Sequence, residues 1–126
     1  MIVRRVDNTV WQSDYEYAMT HSSEYNYVIS VAVDCKHPRA SLYIPQDDNV
    51  YVEKERYITV YEFIRQRDNG RNKFLIHCCV GMSRSVAYSI AYLILRYNIT
   101  VEEAKRRMGI GYTLHPDIER SLHDLR

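Results

Sequence analysis

Residues 73–85 read K-F-L-I-H-C-C-V-G-M-S-R-S, an apolar strand pattern that runs through a glycine turn into a helix start. Such a strand-loop-helix turn can aim successive backbone N–H groups at an anion, and the positive end of the following helix adds to them. Cys78 falls at the mouth of that cradle, where the same groups favour thiolate over thiol and make the sulfur a nucleophile. Arg84, six positions on, can offer two parallel N–H donors to a phosphate, a geometry that lysine lacks. Ser85 can donate its hydroxyl to the sulfur and make it a better leaving group. His77 is placed to brace the loop. The loop residues Cys79, Val80, Gly81, Met82, Ser83 and Arg84 would then surround a dianionic phosphate. Phosphoryl transfer through a cysteine is the chemistry that this set supports, and it needs no metal.

The elements that must position these residues follow from apolar runs. Strands are predicted over 2–6, 9–11, 27–33, 42–44 and 74–77. Helices are predicted over 13–21, where Ser13 and Glu16 stand in capping-box positions, over 52–67, which ends at Asn69-Gly70, and over 83–97. The last of these is apolar on nearly every side and should be a central buried helix. Thr100 and Glu103 form a capping box for a helix through Met108, and Pro116 opens a final helix carrying Ile118, Leu122 and Leu125. The order predicts an α/β fold: one compact domain, residues 1–126, with a central mostly parallel sheet of about five strands flanked by helices.

Composition narrows the setting. At 126 residues, 46% hydrophobic and 26% charged, the chain suits one globular domain. Its formal charge of +1 gives no bulk attraction to nucleic acid or lipid, so neither is an expected partner. No apolar stretch reaches membrane-spanning length and the first residues lack a secretory h-region. The expected location is therefore intracellular, in cytoplasm or nucleus, as a monomer or weak homodimer. Three cysteines, Cys35, Cys78 and Cys79, make an odd set with two adjacent, and reduced thiols are the expectation. A protective disulfide between Cys35 and an oxidised Cys78 is the less favoured reading, and Cys79 reads as a core residue. The twelve tyrosines should finish the core with their rings while their hydroxyls reach water. His37, His115 and His123 share no metal-ligand spacing and read as solvent-facing or capping residues. Lys105, Arg106 and Arg107 read as a helix C-terminal face favoured by the dipole.

The pattern H-C-x-x-G-x-x-R-S resembles the signature of the cysteine-based protein tyrosine phosphatases, and H-C-C-V-G-M-S-R-S-V-A looks most like their dual-specificity branch. The likeness extends to L-Y-I-P-Q-D-D-N, residues 42–49, which is similar to that branch's general-acid loop. The resemblance implies that Asp48, rather than its neighbour Asp47, protonates the leaving oxygen and later activates water. It implies a phosphocysteine intermediate, no cofactor, and phosphorylated proteins as substrates. A domain this short lacks the wall that deepens the pocket of receptor-type tyrosine phosphatases, and a shallow pocket would admit phosphoserine and phosphothreonine beside phosphotyrosine. Low-molecular-weight phosphatases and arsenate reductases carry their loop near the N-terminus, unlike this chain. RNA 5′-triphosphatases and phosphoinositide phosphatases of the same superfamily are alternatives, but both would favour basic residues within the loop. A pseudophosphatase that only binds phosphorylated partners is a third, against which every catalytic position is filled. Three departures stand out: V-W-Q-S, residues 10–13, where the branch has a Leu-Tyr-Ile-like stretch and then glycine; Ser30 in place of an asparagine; and Tyr112 in place of an arginine.

Overall fold

The computed structural model describes all of residues 1–126. Five strands form one sheet: β1 (Val3–Arg5), β2 (Val10–Ser13), β3 (Tyr27–Ser30), β4 (Leu42–Tyr43) and β5 (Phe74–His77). Their order is β1-β2-β5-β3-β4, with β1 antiparallel to β2 and every other pair parallel. This is the mostly parallel sheet that the sequence pattern predicts. Strand β5 lies in the middle, paired on both sides, so its C-terminal end at His77 opens between the ends of β2 and β3. A central parallel strand reads as an unbroken apolar run, and F-L-I-H is buried throughout.

Alternation along β5 assigns the two faces. Phe74 and Ile76 belong to the main core with α3 (Arg84–Tyr97), while Leu75 and His77 look to the other side, where α1 (Tyr15–His21) places Ala18 and the Tyr15 ring. Helix α3 is the hub, buried from Arg84 to Ile94 and touching α2 (Lys54–Arg67), α4 (Val101–Met108) and α5 (Pro116–His123). It stops at Asn98, whose left-handed φ of 52° lets its N–H cap Ile94 O.

Several local expectations need correction. Asp14, not Ser13, caps α1, because its Oδ1 accepts from Tyr17 N at 2.8 Å while Oδ2 accepts from Ile2 N at 2.9 Å. Thr100 does cap α4, accepting from Glu103 N, but the Glu103 carboxylate turns forward to Arg106 and Arg107 rather than back to the cap. The tyrosine hydroxyls of the core do not reach water. Tyr57, Tyr88 and Tyr92 are buried and end on Ser121, Gln46 and Asp7 respectively, so each polar tip has a partner. His37 is buried, not solvent-facing, whereas His115 caps α5 by accepting from Asp117 N. Lys105 pairs with Glu119, which ties α4 to α5.

Candidate active site

The turn from β5 into α3 leaves Cys78 Sγ on the floor of a pocket of about 190 Å³, walled by Asp48, Val80, Met82, Ser83 and Arg84. Cys78 is only 2% exposed, because the loop wraps it, but the pocket reaches it. Two larger hollows, about 290 Å³ between α2 and α3 and about 370 Å³ along α2, hold no cysteine. The sulfur receives Gly81 N–H at 3.3 Å and lies 3.0 Å from Ser85 Oγ. Backbone N–H groups of Val80, Met82, Ser83 and Arg84 find no acceptor in the chain. With these N–H groups unpaired around the pocket, the loop has donors free for an anion. Ser83 precedes α3 without a side-chain cap, which leaves the positive end of that helix directed at the same space.

Gly81 makes the turn possible. Its φ of +81° suits only glycine, and a Cβ there would stand 2.8 Å from Asp14 N. The approach is close because Tyr15 N donates to Cys79 O, which straps the loop to the start of α1.

Arg84 is 7% exposed, and its Nη1 donates to Asp34 Oδ1 at 2.7 Å and to Gln46 O at 2.9 Å. No buried side-chain nitrogen lacks a partner, so Nε and Nη2, which make no bond within the chain, open on the pocket. The bidentate edge of the guanidinium is thus presented while its rear is anchored. Arg84, in turn, holds the Asp34 carboxyl below its ordinary pKa through the shared hydrogen bond. Asp34 and Gln46 escaped the sequence reading; Gln46 lies within the quoted acid-loop stretch, but nothing in its spacing reveals a carbonyl aimed at an arginine 38 residues away.

Asp48 stands across the pocket, its Oδ1 accepting from Ser83 Oγ at 2.8 Å, whereas Asp47 is not among the lining residues. His77 lies beneath the loop. Its Nδ1 sits 2.9 Å from the Cys78 carbonyl, which can only accept, so Nδ1 carries the proton and Nε2 accepts from Ser30 Oγ at 2.6 Å. Burial pushes the imidazole pKa down to about 4, so it stays neutral and braces the loop. Ser30 also accepts from His37 N, and Tyr112 donates to Met82 O at 2.8 Å, so both departures from the family pattern serve the loop.

The cysteine expectations are overturned in one respect. A disulfide joins Cys35 to Cys79, neither is a free thiol, and Cys78 is the sole unpaired cysteine. Sequence cannot reveal this pairing, because 44 residues separate partners whose Cα atoms the fold brings to 5.4 Å. The bond fixes the segment that carries Asp34 to the loop that carries Cys78.

An α/β domain with a cysteine under a phosphate cradle, an anchored arginine and an aspartate across the mouth defines a cysteine-based phosphatase. The dual specificity phosphatase catalytic domain matches residues 10–115, and the chain belongs to that family. It is 28% identical over 134 residues to dual specificity protein phosphatase OPG106 of vaccinia virus (strain Western Reserve), covering 99% of this chain and 72% of that protein. It is 32% identical over 92 residues to mouse dual specificity protein phosphatase 2, covering 66% of this chain but only 29% of that longer protein. The crystal structure of human DUSP28 superposes with a TM-score of 0.81 at 17% identity, covering 98% and 91% of the two chains, a likeness of fold.

Proposed function

We propose that this domain hydrolyses phosphomonoesters on proteins in two steps, taking phosphotyrosine, phosphoserine and phosphothreonine. In the first, the Cys78 thiolate attacks phosphorus, the bond to the leaving oxygen breaks, and Asp48 gives that oxygen its proton. Arg84 and the unpaired loop N–H groups hold the three equatorial oxygens, where charge must be stabilised throughout transfer. In the second, water attacks phosphorus and yields its proton to Asp48; the S–P bond breaks, and Ser85 donates a hydrogen bond to the returning thiolate. The observation that carries this reading is the open edge of Arg84 beside the Cys78 sulfur, with Asp48 on the facing wall of one pocket. Phosphoprotein is favoured over phosphoinositide or 5′-triphosphorylated RNA by the rim, where Val80 is 68% and Met82 37% exposed and no lysine or arginine other than Arg84 lines the pocket. A polyanion would need more positive charge there.

The test uses the purified chain with para-nitrophenyl phosphate and phosphopeptides of all three kinds. The chain should release nitrophenol and inorganic phosphate, and Cys78→Ser should release neither while still retaining phosphopeptide. Peptide retention without release by the unsubstituted chain would instead mark a binding module.

A further inference from the structure

Gln12 is completely buried on β2, yet it is a polar residue at a point where the family's Leu-Tyr-Ile-like strand is apolar, and the two-step mechanism above makes no use of it. Its Oε1 accepts from Arg4 Nη1 at 2.9 Å. Arg4 lies directly across the antiparallel β1–β2 pair and has no acceptor to offer, so the amide can sit only one way round. Its Nε2 therefore faces inward, donating to Ser85 Oγ at 2.8 Å and to Gly81 O at 3.0 Å. Arg4 Nη1 donates to that same Gly81 carbonyl at 2.8 Å.

The consequence falls on a single proton. Ser85 Oγ has one O–H, and Gln12 occupies it as an acceptor, so that O–H must point elsewhere. Its two remaining neighbours are Cys78 Sγ at 3.0 Å and Ser13 O at 3.3 Å. A thiolate is the nearer acceptor and the charged one, so the hydroxyl turns to sulfur. Holding the Gly81 carbonyl toward β2 also turns the N–H of the same planar peptide, that of Met82, to the opposite side.

We propose that Gln12, fixed by Arg4, is a positioning residue that aims the Ser85 hydroxyl at the Cys78 sulfur and so speeds breakdown of the phosphocysteine. The inference rests on the phosphocysteine reading, and it is specific to the second step, in which sulfur is the leaving group. The S–P bond gives its electron pair to sulfur, and the Ser85 O–H, without transferring its proton, stabilises the charge that appears there.

Gln12→Leu keeps the side chain's approximate size and removes the donor. With para-nitrophenyl phosphate, nitrophenol leaves in the first step, so a slowed second step gives a pre-steady-state burst of about one nitrophenol per enzyme. The expected result is that burst with kcat reduced about tenfold, the scale of one hydrogen bond to a charged group, and with kcat/KM changed much less. Ser85→Ala should show the same burst, and the double variant should be no worse than Ser85→Ala, because the two act through one hydroxyl. Iodoacetamide alkylation of Cys78 at fixed neutral pH, which needs no turnover, should change in Gln12→Leu and stay unchanged when Gln12→Leu is added to Ser85→Ala. Arg4→Met, at the one half-buried position of β1, offers a second variant if Gln12→Leu does not fold, with a smaller burst expected. Absence of a burst together with unchanged alkylation in a folded variant, or multiplying effects in the double variant, would overturn the assignment. If the unsubstituted chain releases no nitrophenol the phosphatase reading fails, and alkylation alone then decides the role of Gln12.

Discussion

The two sides of the pocket are built differently. Behind the loop three buried side chains are each held by two partners: His77 between Ser30 and the Cys78 carbonyl, Gln12 between Arg4 and Ser85, and Arg84 between Asp34 and Gln46. In front, residues 47–50 are all exposed, Asn49 takes a left-handed φ of 59°, and the Asp48 carboxylate is tied to the rest of the site by the Ser83 hydroxyl alone. Phosphate binding needs donors fixed in advance, since electrostatic stabilisation is strongest when nothing must reorganise. The acid needs contact with water and a leaving group of variable shape, and a rigid, buried carboxylate would serve neither.

That contrast can be broken from either side. The largest effect is expected from Asp48→Ala, which should lower kcat by about 10²- to 10⁴-fold on phosphopeptides with alkyl leaving groups and far less on para-nitrophenyl phosphate, whose phenolate leaves without a proton. Asp47→Ala should do neither; the reverse pattern in a rate comparison of the two variants would move the acid by one residue. Next, Cys35→Ser removes a cross-link that closes a long loop and should lower stability by about 2–4 kcal/mol, read as a shifted denaturation midpoint that dithiothreitol reproduces in the unsubstituted chain but not in the variant.

Acid should weaken the rear of the site through His77. Its folded pKa of about 4 lies below the ordinary 6.5 because of burial, so as pH falls the unfolded chain takes up the proton first. The stability that neutral His77 contributes is intact above about pH 6.5, drains as pH falls, and is gone near pH 4, a loss of up to about 3 kcal/mol. Buried His37, also held below its ordinary value by desolvation, adds in the same direction. Urea midpoints between pH 7 and 4 should show the slope, and His77→Asn should flatten it. The smallest effect belongs to the front: Ser83→Ala removes one exposed hydrogen bond to Asp48, and kcat on alkyl phosphopeptides should fall only about two- to fivefold with stability unchanged.

Much of this was legible in residue order because it is local. The F-L-I-H strand and the helix from Val86 are largely apolar runs separated by a glycine turn, signals that need only neighbours, and all five strands and five helices lie where such local signals put them, within a few residues at their ends. Where local signals competed, sequence reading slipped: Ser13 and Asp14 are both good caps, and only the close approach of Ile2 N explains why Asp14 took the place. The tyrosines misled for a related reason, since an amphipathic ring suits both a surface and a core that supplies partners such as Gln46, Ser121 and Asp7.

Residue order alone places four side chains of one loop: Cys78, Gly81, Arg84 and Ser85 sit at separations that a single turn between strand and helix converts directly into geometry. Long-range folding adds the groups that hold that loop from a distance: Arg4 and Gln12 at its back, Asp34 and Gln46 behind the arginine, and Cys79 bonded to Cys35 rather than lying idle in the core. Those partners lie 38 to 77 residues from the groups they serve, and contacts across such spans depend on sheet order and helix docking, which leave no period in the chain.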